Sequence, residues 1–299
     1  MYELIPLANR TFLIQASTNV GVYVRGDRAY MIDSGLNRRD AAQFLNILDA
    51  HGWKLDAIFN THYHSDHIGG NRYLQEKTGC RCYCPLSFFA AEPLINTVCM
   101  TGAYPAPPIM TDVFLAEASV TEELTPEVLP EGFAITSLPG HSYAQCAIRT
   151  PDDVLFMGDV VLGYEELAKN SLFYVYSYNQ HLESLEKARA MHARCYVPSH
   201  GGYVTQLDPL IQANVESFQT MHDWILEFCA GEGMSQDELL KAIFDRFQRH
   251  LHLALYTLCA CALHAHLAAL IEEGKIVARA KGNFLRYRAA RRPIQPKAD

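Results

Sequence analysis

Charge is sparse in this chain, and long uninterrupted apolar runs are missing. Asp, Glu, Lys and Arg make up 19% of the 299 residues and hydrophobic types 49%. That balance is too apolar for a disordered chain and fits a folded, soluble one. No basic-then-apolar leader opens it: Met1-Tyr2-Glu3-Leu4-Ile5-Pro6 is too short and carries an acid, so no secretory signal is expected. The apolar segment Leu253–Leu263 is flanked by His250, His252, His264 and His266, which reads as too short and too interrupted for a membrane span. A positive surplus is missing as well, since the formal net charge of −8 argues against a surface built for nucleic acid or membrane. The nine cysteines are odd in number and scattered, which points to a reducing cytoplasm rather than a disulfide framework. A chain of this length buries roughly three quarters of its unfolded surface, enough for one large domain and a small one.

What is present is concentrated in one stretch. Thr61-His62-Tyr63-His64-Ser65-Asp66-His67-Ile68-Gly69-Gly70 follows the apolar run Leu55–Asn60. A strand running into a turn aims His62 and His64 at one point, and a helix starting near Asp66 sets Asp66 and His67 beside them. Neutral imidazoles with a carboxylate suit zinc, iron or manganese. Three more residues sit at the ends of short β-like runs beside glycine. They are His141 in Pro139-Gly140-His141, Asp159 in Gly158-Asp159 and His200 in Ser199-His200-Gly201. Each alone reads as a turn residue. Together, and in this order, they complete a metal-ligand set.

With those motifs the sequence resembles the metallo-β-lactamase superfamily, in its binuclear branch of glyoxalase-II-like and lactonase-like hydrolases. The carriers are His-x-His-x-Asp-His at 62–67, Pro-Gly-His at 139–141, Gly-Asp at 158–159 and Ser-His-Gly at 199–201, and the likeness spans about residues 10–205. The resemblance implies an α/β fold, a four-layer αββα sandwich, with two divalent metal ions. His62, His64 and His141 hold the first, Asp66, His67 and His200 the second, and Asp159 bridges them. Asp66 and Asp159 are then the catalytic carboxylates. Asp33, closing the run Ala29–Ile32, orients a ligand from behind. Zinc is the default metal, with iron and manganese also suited to an all-His/Asp site. β-Lactamases of the commonest class use a cysteine in the second site, and Cys195 carries no such motif, so antibiotic cleavage is disfavoured.

Two ions about 3.5–4 Å apart hold a water whose pKa falls to near 7 or below. The resulting hydroxide attacks a carbonyl or phosphorus centre, so the expected reaction is hydrolysis without a nucleophilic side chain. Activity is expected to fall below about pH 7.

Outside these motifs, Cys80, Cys82 and Cys84 at i, i+2, i+4 read as buried thiols on one face of a strand. The C-terminal histidines at 250, 252, 264 and 266 read as surface or packing residues. Strand-like runs alternate with helical stretches at 40–51, 71–78, 182–191 and 209–230. Two inserts shape the pocket: the proline-rich 92–126, with Tyr104, Ile109 and Met110, and the aromatic run Phe173, Tyr174, Tyr176, Tyr178.

The catalytic domain is expected at 1–230 and a winged-helix-like domain at 231–299. In the latter, Ser235 and Glu238 form a capping box, and residues 275–280 and 283–288 form a hairpin. Residues 275–299 hold eight Lys or Arg against Asp299, formally +7, leaving −15 for residues 1–274. Such asymmetry invites nucleic acid, yet the presumed recognition helix is Leu- and Ala-rich, so structural or homodimeric use ranks higher.

The leading function is hydrolysis of a small ester, thioester or lactone. The glyoxalase-II version lacks its Gly-Cys-Gly-Arg-like turn, since Leu162-Gly163-Tyr164 stands there. Its basic C-terminal glutathione-binding pattern is not recognisable either. The alternatives are a single-strand endoribonuclease of the same fold and a metal-retaining, ligand-sensing regulator.

Overall fold

The computed structural model describes residues 2–102, 114–169 and 172–290. One sheet runs in chain order: β1 (Glu3–Pro6), β2 (Thr11–Gln15), β3 (Val20–Arg25), β4 (Arg28–Ile32), β5 (Lys54–Phe59), β6 (Arg81–Cys84) and β7 (Thr121–Glu123). The first four strands form an antiparallel meander, and β4 to β7 are parallel. Parallel neighbours need crossovers. These are α1 (Arg38–Ala50), then α2 (Ser65–Ile68) with α3 (Asn71–Thr78), then α4 (Phe88–Ala91) with α5 (Pro93–Thr101). Of the proline-rich insert, Tyr104, Pro105, Pro107, Pro108, Ile109 and Met110 lie outside the described residues.

The second sheet comprises β8 (Ala134–Ser137), β9 (Cys146–Arg149), β10 (Val154–Phe156) and β11 (Cys195–Val197), ordered β11-β10-β9-β8. Its β10–β11 pair is parallel, spanned by α6 (Tyr164–Leu167) and α7 (Tyr178–Arg189). The chain continues through α8 (Asp208–Phe228), α9 (Gln236–Phe247), α10 (Leu253–Glu272) and a hairpin of β12 (Ile276–Lys281) and β13 (Phe284–Ala289).

Side-chain alternation sets the layers. On the first sheet Leu13, Tyr23, Tyr30, Ile32, Ala57 and Phe59 point inward, where they meet Ile148, Phe156 and Val197 of the second. Their neighbours Ile14, Val22, Met31 and Ile58 point outward onto Phe44 and Leu48 of α1 and Leu74 of α3. The far face of the second sheet packs Leu155 and Tyr196 against Leu185 of α7 and Leu210 of α8. The result is an αββα sandwich. Strands buried on both faces explain why their sequences are continuously apolar. Gly21 of β3 is required here, because a Cβ would lie 2.5 Å from the Phe156 ring across the sandwich.

Cys80, Cys82 and Cys84 are buried and free, the first two beneath α1 and α3. The expected capping box is present, with Ser235 Oγ accepting from the Glu238 amide and Glu238 accepting from the Ser235 amide. Met221 and Ile225 of α8, with Cys229 at its C-cap, share one core with α9, α10, Ile276 and Tyr287.

α10 corrects one expectation. The helix runs 20 residues to Glu272, through both His264 and His266. By length and composition it is long and apolar enough to cross a membrane, with a mean hydropathy of 1.7. His252 caps the start of the helix, and within it His266 is a core residue, 1% exposed, while His264 is exposed. Cys259, Leu263, Leu267 and Leu270 of the same helix pack in the core shared with α8 and α9.

Candidate metal centre

The ends of four strands converge at one edge of the sandwich. Asp33 follows β4, His62 and His64 follow β5, Asp159 follows β10 and His200 follows β11. His141 is set by the turn between β8 and β9. Carboxyl ends of parallel strands are where such folds gather reactive groups. All seven expected ligands meet there. Three sets have donor atoms within 4.8 Å of one another: His62, His64 and His141; His62, His67 and Asp159; and Asp66, His67 and His200.

Asp159 lies between the two halves. Its Oδ2 is 3.3 Å from His141 Nε2 and 3.3 Å from His200 Nε2, and its Oδ1 is 3.4 Å from His67 Nε2. Asp66 Oδ2 is 3.3 Å from His200 Nε2 and accepts a 3.0 Å hydrogen bond from Thr18 Oγ1.

The outward ring nitrogens are anchored. His67 Nδ1 meets Asp33 Oδ2 at 2.9 Å, His141 Nδ1 the Tyr174 carbonyl at 3.0 Å, and His200 Nδ1 the Ser17 carbonyl at 2.8 Å. Each anchor takes the Nδ1 proton, leaving the Nε2 lone pair directed at the centre. His64 instead turns Nδ1 inward, 2.9 Å from His141 Nε2.

Backbone geometry holds these groups in place. Gly140 has φ +129, and a Cβ there would lie 2.3 Å from the His181 amide nitrogen. Only glycine lets the 139–141 turn sit against the start of α7. The carbonyl of Gly140 accepts from the Tyr176 and Ser177 amides, clamping the turn. Asn19 bonds the carbonyls of Pro198 and Gly201, which fixes the His200 loop. Gln145 accepts from the Asp159 amide.

Electrostatics follows the same division. Burial, reinforced by neighbouring imidazoles, holds His62 and His64 well below the ordinary histidine range. Burial also lowers His141, against the pull of Asp159. For His67 burial opposes charge, but Asp66, Asp33 and Asp159 outweigh it and raise the pKa well above ordinary. His200 behaves likewise beside Asp159 and Asp66. Burial opposes ionisation of Asp159, yet His200, His67 and His141 keep it far below the carboxylate range. The Asp66/His67/His200 half therefore concentrates negative charge that attracts positive charge to its imidazoles.

Fully buried His62 Nε2, His67 Nε2 and Asp159 Oδ1 have no hydrogen-bond partner. Orphaned polar atoms cost about 1–3 kcal/mol each. Three of them facing one point, in an all-imidazole and carboxylate donor set, fit a divalent cation.

Several supporting groups carried no sequence signal. The carbonyls of Ser17 and Tyr174 are backbone atoms, and Thr61, which donates to Asp33 through both its amide and Oγ1, opens the histidine stretch with no role that the sequence alone assigns it. A cavity of about 400 Å³ opens over the centre. Phe218 of α8, Leu258 of α10 and His181 of α7 line it beside Phe173 and Tyr174, so distant helices wall the site.

An αββα sandwich with buried imidazoles and carboxylates at its strand ends defines a hydrolase with a cluster able to bind metal. The chain belongs to the metallo-β-lactamase superfamily, whose family model matches residues 14–200. It is similar to a β-lactamase-like protein 2 homolog of Drosophila melanogaster, 23% identical over 275 residues, covering 90% of this chain and 87% of that one. It is also similar to a hydroxyacylglutathione hydrolase of Methylococcus capsulatus, 31% identical over 160 residues. The match spans about half of each, 52% of this chain and 52% of the relative. A crystal structure of a β-lactamase domain protein from Burkholderia ambifaria shares the fold. Its TM-score is 0.70 at 21% identity, covering 96% of this chain and 94% of that one.

Proposed function

We propose that the protein hydrolyses a small ester, thioester or lactone with two divalent cations, zinc by default. His62, His64 and His141 hold one, Asp66, His67 and His200 the other, and Asp159 spans both. The observation that carries this reading is the trio of buried, unpartnered donors, His62 Nε2, His67 Nε2 and Asp159 Oδ1. When bound, such cations supply Lewis acidity and lower the pKa of water to near 7. The chain's residues do the rest. Asp33 fixes the His67 ring through Nδ1, and Tyr174 and Ser17 fix His141 and His200. Asp66 and Asp159 bring the negative charge that would offset the cations. Met100, Phe114, Leu162 and Phe173 line the cavity with apolar surface that excludes bulk water and suits an acyl group.

A thioester is supported by the hydroxyacylglutathione hydrolase relative. Glutathione itself is less well supported, because Leu162-Gly163-Tyr164 replaces the expected turn. Residues 231–299 are proposed as a winged-helix-like unit beside a catalytic unit at 1–230, on the strength of two helices followed by the β12–β13 hairpin. Three of the five described basic side chains in residues 275–290 are already paired, Arg286 with Glu238, Lys281 with Glu232 and Lys275 with Glu273, which weighs against RNA. Arg291, Arg292 and Lys297 lie outside the described residues. The nine free cysteines support a reducing, cytoplasmic setting.

The test is turnover by metal-loaded protein of p-nitrophenyl esters, acyl thioesters and homoserine lactones. Hydrolysis of at least one class, abolished by chelation, is expected. Metal uptake without turnover on any of them points instead to a ligand sensor. Salt-sensitive RNA retention with cleavage points to the nuclease.

A further inference from the structure

A second cavity of about 340 Å³ adjoins the one over the metal centre and shares His64, Met100 and Tyr174 with it. Five aromatic side chains line it: Tyr63 after β5, Phe89 of α4, Tyr143 in the turn between β8 and β9, and Tyr174 and Tyr176 before α7. Tyr63 packs on Phe89 with ring centres 4.6 Å apart, and Tyr143 meets Tyr176 edge to face at 5.9 Å. The Tyr174 ring stands 5.5 Å from that of His64. One ring of the expected ligand set thus belongs to both spaces.

No Asp, Glu, Lys or Arg lines this second cavity. Asn96 does, and it is 3% exposed; its Nδ2 donates to the Tyr63 carbonyl at 3.1 Å, while its Oδ1 accepts no hydrogen bond among the described residues. Burial raises the Tyr63 and Tyr174 phenols above their ordinary range, so neither supplies an anion. What the walls offer is ring faces and one free amide oxygen.

Aromatic faces attract a cation held within about 6 Å of the ring centre. Among the described residues, the protein's own Arg and Lys side chains cover Tyr23, Tyr73, Tyr83, Trp224 and Phe228, and none of the rings around this cavity. Residues 1–274 carry formally −15, so two divalent ions still leave −11, a field that draws cations. Tyr143 is 62% and Tyr176 51% exposed, a wet rim that suits a head group keeping part of its water better than a purely apolar one. Asn96 Oδ1 adds the negative end of an amide dipole. We propose that this cavity binds an alkylammonium head group of the substrate, whose scissile carbonyl lies at the metal centre across His64. The substrates are then cationic esters or thioesters of the choline type. This rests on the hydrolase reading above.

The first experiment needs no turnover. Cys99 lines the cavity and is the one exposed thiol of the nine, so its alkylation by iodoacetamide, followed by peptide mass spectrometry, reports occupancy in the metal-loaded protein. Choline is compared with 3,3-dimethylbutan-1-ol, which has the same shape and no charge, at matched chloride. Choline is expected to protect Cys99 at concentrations about five- to thirtyfold lower. The second experiment compares kcat/KM for butyrylcholine and 3,3-dimethylbutyl butyrate. Wild type is expected to favour the cationic ester by a similar factor, Tyr143→Leu and Tyr176→Leu to bring the ratio toward one, and Tyr143→Phe, which keeps the ring, to retain it. If Tyr143→Leu does not fold, Tyr176→Leu carries the same comparison. If wild type cleaves no ester, thioester or lactone, the hydrolase reading falls and Cys99 protection alone judges the cavity. Equal protection by the two alcohols, protection by neither, or an ester preference that both leucine variants keep overturns the proposal.

Discussion

Asp33 accepts from the Thr61 amide at 2.8 Å, from Thr61 Oγ1 at 2.9 Å, and faces His67 Nδ1 at 2.9 Å. One carboxylate thus ties the end of β4 to the ligand loop after β5 and sets a ring orientation. Asp33→Asn keeps the shape but loses the charge behind His67, and is expected to weaken metal affinity about 10–100-fold in competition with a chelating indicator. Buried histidines away from the centre give a pH prediction. His222 stacks on Tyr178 at 3.8 Å, and burial lowers its pKa from 6.5 to about 4; burial also holds His266 well below 6.5. A histidine depressed in the folded state binds more protons when unfolded between those two values. Its contribution is therefore fully present above about pH 6.5 and is lost as pH falls toward 4. Urea midpoints of the metal-free protein should decline through that window, and His222→Phe should flatten the decline.

At the scale of elements, turns and caps determine whether ligands arrive. Gly140→Ala forces a Cβ against the backbone of α7 at an unfavourable φ, an effect of about 1–3 kcal/mol before the clash itself is counted. It is expected to lower the thermal midpoint and to reduce metal uptake through His141. Ser235→Ala, which removes a cap, is expected to cost about 1 kcal/mol in denaturant unfolding and leave metal content unchanged. The 62–67 cluster, the capping box and the hairpin were legible because their information is local in sequence. β1 and β7 were not, being short strands, the latter a polar Thr-Glu-Glu. The start of α7 at Tyr178 was hidden because Tyr178 continues an aromatic run that reads as an insert. His181, Phe218 and Leu258 reach the cavity only through tertiary packing, which leaves no local pattern.

Across the whole molecule, the two sheets form a scaffold whose strand ends present donors, and the C-terminal helices close the cavity above them. Ligands drawn from both sheets mean that a bound cation cross-links the sandwich. Chelation is therefore expected to lower the thermal midpoint, and saturating zinc to restore it, by mass action on the folded state. Asp159 is the junction, within 3.4 Å of imidazoles from both halves. The most direct test is metal content per chain after zinc loading, by elemental analysis, for wild type and Asp159→Ala. The account predicts about two ions in the wild type and fewer, with lost hydrolysis, in the variant. Wild-type protein that takes up no ions, or a variant that binds and turns over as the wild type does, contradicts it.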